Sequence, residues 1–172
     1  MYKVLEKSRL ISLRSTEAND VDFVLKVESN PENSIYVGQW TKKQHLDAIL
    51  EGDILHLIIE DNKDSRPIGY IIMAGLQNPN RNIEFRRIVI TEKGKGFGRE
   101  SLKLVKRLSF KGLKAHRLWL DVREHNHRGQ YLYKSEGFIQ EGQLRECILN
   151  KDKFESLIIM SILEGEYLAR GE

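Results

Sequence analysis

Apolar residues recur along this chain in blocks of two periods, and the blocks predict an alternation of strands and helices. Leu10-Ile11-Ser12-Leu13-Arg14 reads as a short first strand. Residues 19–28 carry Val21, Val24, Leu25 and Val27 between charges, the spacing of an amphipathic helix. Ser29-Asn30-Pro31-Glu32-Asn33-Ser34 is a loop by its turn residues. Thr41-Lys42-Lys43-Gln44 has the form of a capping box, opening a helix that runs through Leu50 and closes at Gly52. Residues 55–60 and 68–74 are apolar strands joined by the turn-rich stretch 61–67, which predicts a hairpin. A third long strand occupies 83–90. A helix over 99–111 stops at Gly112, expected in the left-handed conformation that follows a helix end. A strand at 117–122, a short helix at 127–136 capped by Gly137 and Phe138, and strands at 144–149 and 157–163 complete the chain. The order β-α-α-β-β-β-α-β-α-β-β predicts an α/β fold with a mixed sheet.

Composition narrows this picture. At 172 residues the chain suits one domain, 1–172, with its core at about residues 10–165. The 28 basic and 25 acidic residues leave a net charge of +3, and the basic residues cluster only around one glycine loop. A nucleic-acid partner is therefore not expected, and no aromatic-basic interleaving offers to stack bases. No apolar run approaches the ~20 residues that cross a bilayer, and the first residues lack the apolar centre of a signal peptide. A cytoplasmic protein without a membrane partner is expected. The single cysteine, Cys147, excludes an internal disulfide and is expected to be buried strand filler.

The glycine loop, Lys93-Gly94-Lys95-Gly96-Phe97-Gly98-Arg99, lies between the strand at 83–90 and the helix that follows. Glycines spaced two apart let a backbone turn sharply and bring its N–H groups close to a ligand. A helix starting there aims its unpaired N–H groups and the positive end of its dipole at the same point. Cations at that end oppose the dipole unless an anion sits among them, so the loop reads as a phosphate cradle. It is not the nucleotide P-loop, because Gly98-Arg99-Glu100 has no hydroxyl for Mg²⁺, and its spacing fails the dinucleotide fingerprint.

What remains, basic-x-x-Gly-x-Gly between strand and helix, resembles the pyrophosphate loop of the Gcn5-related N-acetyltransferases (GNAT). Two further motifs carry the resemblance: Leu118-Trp119-Leu120-Asp121-Val122-Arg123-Glu124-His125-Asn126, and Leu132-Tyr133-Lys134-Ser135-Glu136-Gly137-Phe138. Strand 83–90 and the tail Gly142-Gln143-Leu144-Arg145-Glu146 look most like the branch holding ribosomal-protein N-terminal and spermidine acetyltransferases. The resemblance implies a single-domain mixed sheet of the GNAT type. It also implies acetyl-CoA as cosubstrate, no metal, and direct acetyl transfer to a primary amine, either a protein N-terminus or a small amine or polyamine. Late strands of that fold often pair between subunits, which leaves a homodimer open. A non-catalytic acyl-CoA-binding sensor or scaffold of the same fold is the alternative.

By the same resemblance, the backbone of Ile88, Val89 and Ile90 would pair with the pantetheine arm and give one N–H to the thioester oxygen. Lys93, Gly94, Lys95, Gly96, Phe97, Gly98 and Arg99 would hold the pyrophosphate. Asn126 would bond the arm, and also suits a helix N-cap. Tyr133 matches the residue that protonates the departing sulfur, and a phenol of pKa about 10 carries its proton at neutral pH. Asp121 and Glu84 are level as candidates for the base. Strict alternation would place Glu84, Arg86, Ile88 and Ile90 on one face, with Glu84 towards the amine. The acceptor wall is expected from the loop with Glu32, Asn33, Tyr36 and Trp40. His125 and His127 lack a third partner of metal-ligand spacing.

Overall fold

A computed structural model describes residues 2–171. Its strands are β1 (Val4–Lys7), β2 (Ile11–Ser15), β3 (Ile54–Asp61), β4 (Arg66–Ala74), β5 (Asn82–Ile90), β6 (Arg117–Arg123), β7 (Ile139–Asn150) and β8 (Lys153–Leu163). They form one sheet in the order β1-β2-β3-β4-β5-β6-β8-β7. The helices are α1 (Val21–Ser29), α2 (Pro31–Ser34), α3 (Lys42–Leu50), α4 (Phe97–Arg107), α5 (His127–Ser135) and α6 (Glu164–Ala169). No described helix is long and apolar enough to cross a membrane.

The strands carry apolar residues on both faces because helices cover both. On one face Leu13, Ile59, Ile71, Phe85, Leu118 and Met160 pack with Leu104 and Val105 of α4 and Tyr167 of α6. On the other, Ile58, Tyr70, Ile72 and Val89 meet Val24 and Val27 of α1, with Trp40 alongside. Leu57, Ile58 and Ile59 show the period-two alternation directly, successive residues serving opposite cores. The capping box at Thr41 forms as read: its Oγ1 accepts the Gln44 N–H at 3.2 Å, and Gln44 Oε1 accepts the Thr41 N–H at 2.8 Å.

Three local expectations are corrected. The chain opens with β1, paired antiparallel to β2, where Glu6 and Lys7 obscure the apolar pattern. Gly112 closes a π-helical turn in which Leu113 N–H reaches Leu108 O at 2.8 Å, and the positive φ, +56°, falls on Lys114 instead. Cys147 is exposed, not buried. It lies on the outermost strand where the register shifts between Leu144 and Ile148 and Glu146 takes a φ of +49°. At a sheet edge such a bulge turns side chains out of the regular in-out order.

Two features of β5 shape everything beside it. It runs parallel to β6, yet pairs with it only at Asn82–Arg117, Ile83–Leu118 and Glu84–Trp119. Beyond these, β5 stays with β4 as far as Ile90 and β6 stays with β8 as far as Arg123, so the two strands part like a wedge. The second feature is a bulge: Phe85 pairs with Met73 and Arg87 with the adjacent Ile72, leaving Arg86 as an extra residue. The extra residue inverts the alternation. Ile88 and Ile90 join Ile83 and Phe85 on the α4 face, and Val89 lies on the α1 face. Glu84, opposite Ala74, shares its face with Arg87, opposite Ile72. The expectation that Glu84 shares a face with Ile88 and Ile90 is therefore wrong, because a single bulge breaks the parity it rested on.

Between α1, α3 and β3 lies a buried polar chain. Thr16 Oγ1 is 2.9 Å from His56 Nδ1, His56 Nε2 is 3.1 Å from His45 Nδ1, and His45 Nε2 is 2.8 Å from Glu28 Oε2. Tyr70 stacks on His56. Burial, then His45 and Arg87, push the His56 pKa down to about 3 from an ordinary 6.5. Below its ordinary value the unfolded chain takes a proton that the native state refuses, so native stability rises with pH across this window and is lost as pH falls. The thermal midpoint is expected to drop as pH is lowered from about 7 to about 4, with a shallower slope in His56→Gln. Equal slopes in both proteins, measured by scanning calorimetry, would remove His56 from the account.

Candidate functional site

The glycine loop makes the sharp turn expected of it. Gly94 and Gly96 both take φ +83°, and a Cβ on either would project into open space with nothing within 4 Å. What requires glycine is the left-handed backbone, which an L side chain rarely adopts. The first helical bond of α4 runs from Glu100 N–H to Gly96 O, 3.0 Å, so the N–H groups of Phe97, Gly98 and Arg99 precede the ladder and face outward. Carboxylates balance the loop's cations. Lys93 Nζ sits 3.1 Å from Glu32 O and 3.5 Å from its carboxylate, and Lys95 pairs with Glu92. Arg99 pairs with Glu136 and donates to Ser135 Oγ at 3.0 Å. The Glu136 carboxylate, buried, also takes the fully buried Lys106 ammonium at 3.2 Å.

Where β5 and β6 part, two cavities meet. One, of about 590 Å³, extends from Lys93, Gly94, Gly96, Gly98 and Arg99 along Ile88, Val89 and Ile90 to Asn126 and Tyr133. The other, of about 260 Å³, lies on the far side of the opening and holds Asp121 with Arg86, Arg87 and Arg123. Tyr36, Val37, Ile88, Asn126 and Tyr133 line both. From Phe85 onward the β6-facing edge of β5 has no strand partner among the described residues, so its backbone groups are open to an extended ligand.

Tyr133 stands at the junction. Burial, then the Asp121 charge, push its phenol pKa up to about 12, so it holds its proton at neutral pH. The Asp121 carboxylate makes no hydrogen bond or ion pair with the side chains of the described residues. Desolvation in the cleft and the nearby Glu84 charge raise its carboxyl above the ordinary aspartate range, against the opposite pull of Arg123 and Arg86. Glu84 is engaged by Arg86 through Nε at 2.9 Å and Nη2 at 2.7 Å, and lines neither cavity. Asn126 caps α5, its Oδ1 accepting the Gly129 N–H at 2.9 Å, while also lining both cavities. The expected N-cap is therefore formed.

The expected acceptor wall divides. Tyr36 lines both cavities, whereas Glu32 and Asn33 line only the larger one beside the glycine loop. Asn33 is tied down by a bond from Nδ2 to Val27 O, 2.8 Å. Trp40 lines neither cavity; it lies flat on Arg87, 4.6 Å from guanidinium carbon to ring centroid, and packs into the α1-face core. Lys95 is likewise absent from the lining, being turned to Glu92. His125 contacts Glu155 at 3.3 Å and the Tyr36 ring, and the described residues contain no cluster of three or more His, Cys, Asp or Glu able to hold a metal. The sequence reading missed Arg86, Arg87 and Arg123 as cavity walls. Two adjacent arginines inside an apolar strand were the available signal, since alternation sends neighbours to opposite faces and a fully covered strand hides neither cheaply.

A sequence model of the family described as "Acetyltransferase (GNAT) domain" matches residues 9–139. The spermidine N(1)-acetyltransferase of Vibrio cholerae is 27% identical, over 94% of this chain and 98% of that one. A Bacillus subtilis protein provisionally named a [ribosomal protein bS18]-alanine N-acetyltransferase is 30% identical, over 90% of this chain and 97% of its own. The crystal structure of the Vibrio cholerae spermidine N-acetyltransferase in complex with CoA and spermine superposes with a TM-score of 0.84 at 25% identity, covering 94% of this chain and 99% of that one. With the glycine cradle, the parted strands and the tyrosine at their junction, these matches make the chain a member of the GNAT family and an acetyl-CoA-dependent N-acetyltransferase.

Proposed function

We propose that the chain transfers acetyl from acetyl-CoA directly to the primary amine of a small cationic acceptor of the polyamine type. The observation that carries this reading is the pair of cavities meeting at Tyr133, one running to an anion cradle and the other holding an unpaired carboxylate. The charge of the smaller cavity supports a cationic acceptor. Arg86 is matched by Glu84, Arg87 by Glu28 and Arg123 by Glu155, which leaves Asp121 as the uncompensated charge facing the opening. Relatives named for spermidine acetylation point to the same acceptor class.

When bound, acetyl-CoA supplies the activated acetyl group, and the residues supply the rest. Amides at the start of α4 and the Lys93 and Arg99 cations hold its phosphates. The free edge of β5 at Ile88, Val89 and Ile90 orients the extended arm and offers an N–H to the thioester oxygen. Asp121 draws the ammonium into the smaller cavity and, directly or through one water, accepts the proton the amine must lose before it attacks. Tyr133 donates its proton to the sulfur as the carbon–sulfur bond breaks. Glu84, already bonded to Arg86, acts on the reaction by raising the basicity of Asp121. A homodimer would pair through exposed Leu144 and Leu149 of the outermost strand β7, with Phe154 of β8 beside Leu149.

The test is thiol release from acetyl-CoA with spermidine, spermine, amino acids and peptides beginning in Ala, Ser or Met. Release with the polyamines is expected, and release only with peptides would move the acceptor to a protein N-terminus. Tyr133→Phe is expected to lower kcat roughly 10²–10⁴-fold with the acetyl-CoA dissociation constant unchanged. An undiminished kcat would remove Tyr133 from the chemistry.

The raised Asp121 pKa sets the acid limb of the pH profile, since the carboxylate works only when deprotonated. Activity is expected to rise with pH through a value above the ordinary aspartate range. Glu84→Gln deletes the neighbouring negative charge, lowers the Asp121 pKa and should shift this limb to lower pH; Asp121→Asn should abolish it. A limb unmoved by Glu84→Gln would show that the two carboxylates do not communicate.

A further inference from the structure

Arg87 is an unexpected wall for a cavity that admits a cation. Its side chain is 9% exposed and lines the smaller cavity, with the Trp40 ring on its face and Gly38 against its tip, where a Cβ would lie 3.8 Å from Nη2. Left uncompensated, a fixed guanidinium there would repel a polycationic acceptor at short range through a partly desolvated medium. Glu28 lies directly behind it, 1% exposed and lining neither cavity, with Oε1 on Arg87 Nη1.

Glu28 is held there from every side. Its Oε2 takes His45 Nε2 at 2.8 Å, its Oε1 accepts the Trp40 N–H at 3.3 Å, and its carbonyl accepts Gln39 Nε2 at 2.9 Å. With Glu28 ionised and both rings neutral, the contacts behind it can be satisfied in one way only. Thr16 donates to His56 Nδ1, His56 donates through Nε2 to His45 Nδ1, and His45 donates through Nε2 to the carboxylate. The Glu28 and Arg87 charges, in direct contact, offset one another.

We propose that Glu28 is a positioning residue that sets acceptor charge specificity: by neutralising and pinning Arg87 from behind the wall, it allows a polycationic amine to occupy the smaller cavity. The inference rests on the polyamine reading above. It differs from a structural role in its sign pattern, because removing either charge alone leaves the other uncompensated and the two losses act in opposite directions.

The experiment is a double-mutant cycle on the full chain, measuring KM for spermidine and for acetyl-CoA. Glu28→Gln keeps the shape and should raise the spermidine KM on the order of tenfold, an effect that shrinks with added salt. Arg87→Gln should lower it several-fold, and the double variant should return close to wild type. The acetyl-CoA KM should stay constant throughout. Should Glu28→Gln fail to fold, the sign of the Arg87→Gln change decides alone: a raised spermidine KM overturns the proposal. Equal spermidine KM values across the cycle, or parallel damage to both KM values without recovery in the double variant, overturn it as well. If wild-type protein with acetyl-CoA neither binds nor acetylates spermidine, the polyamine reading falls and this inference with it. Wild-type turnover with a flat cycle removes the inference and leaves that reading standing.

Discussion

The parting of β5 and β6 after three paired residues is the constraint on which the rest depends. Parallel strands that stayed paired to their ends would satisfy every backbone group and leave no site. Here each strand is secured on its outer side, β5 by β4 and β6 by β8, so the gap costs no loss of order in either. Loss of the ladder frees one backbone edge, and the helix after each parted strand begins beside the opening: α4 with its glycine cradle, α5 with Asn126 and Tyr133. The bulge at Arg86 then decides which side chains meet there. It directs Ile88 and Ile90 to one core and Arg87 to the other, against Trp40.

Charge in the site follows a consistent arrangement. Most cations near the two cavities are matched by a carboxylate, and the Asp121 carboxylate is in contact with no cation among the described residues. Its carboxyl is raised first by desolvation and then by the Glu84 charge, and on the proposed mechanism the same group would both attract an ammonium and take its proton. Glu84 beside it contributes by proximity, not by contact.

Features that depend on neighbouring residues in sequence were legible in the chain. The glycine loop, the Thr41 capping box and the Leu-Tyr-x-x-x-Gly-Phe turn carry their own geometry, and each occurs where it was read. So did the strand and helix order, apart from β1, α2 and α6, whose short or charged stretches give weak periodicity. What failed depends on distant partners. The side of β5 that Glu84 occupies is set by an extra residue visible only against the register of β4. Trp40 reads as a pocket aromatic until Arg87 is found beneath it. In sequence Glu28 is simply an acid on α1, and only the fold closes His45 and Arg87 around it. Cys147 reads as buried because its strand is apolar enough, and it is exposed because that strand is the last in the sheet.

The link from Lys106 through Glu136 to Arg99 bears on how the cradle changes hands. An arginine bound only to a buried carboxylate would be a trapped one, since leaving would strand the anion in a poorly solvated place. Glu136 has a second, fully buried cation that stays with it. On the proposed mechanism, an Arg99 that turned towards an arriving phosphate would leave Glu136 with the lysine as its standing counterion, so the interior would not be left with a bare anion.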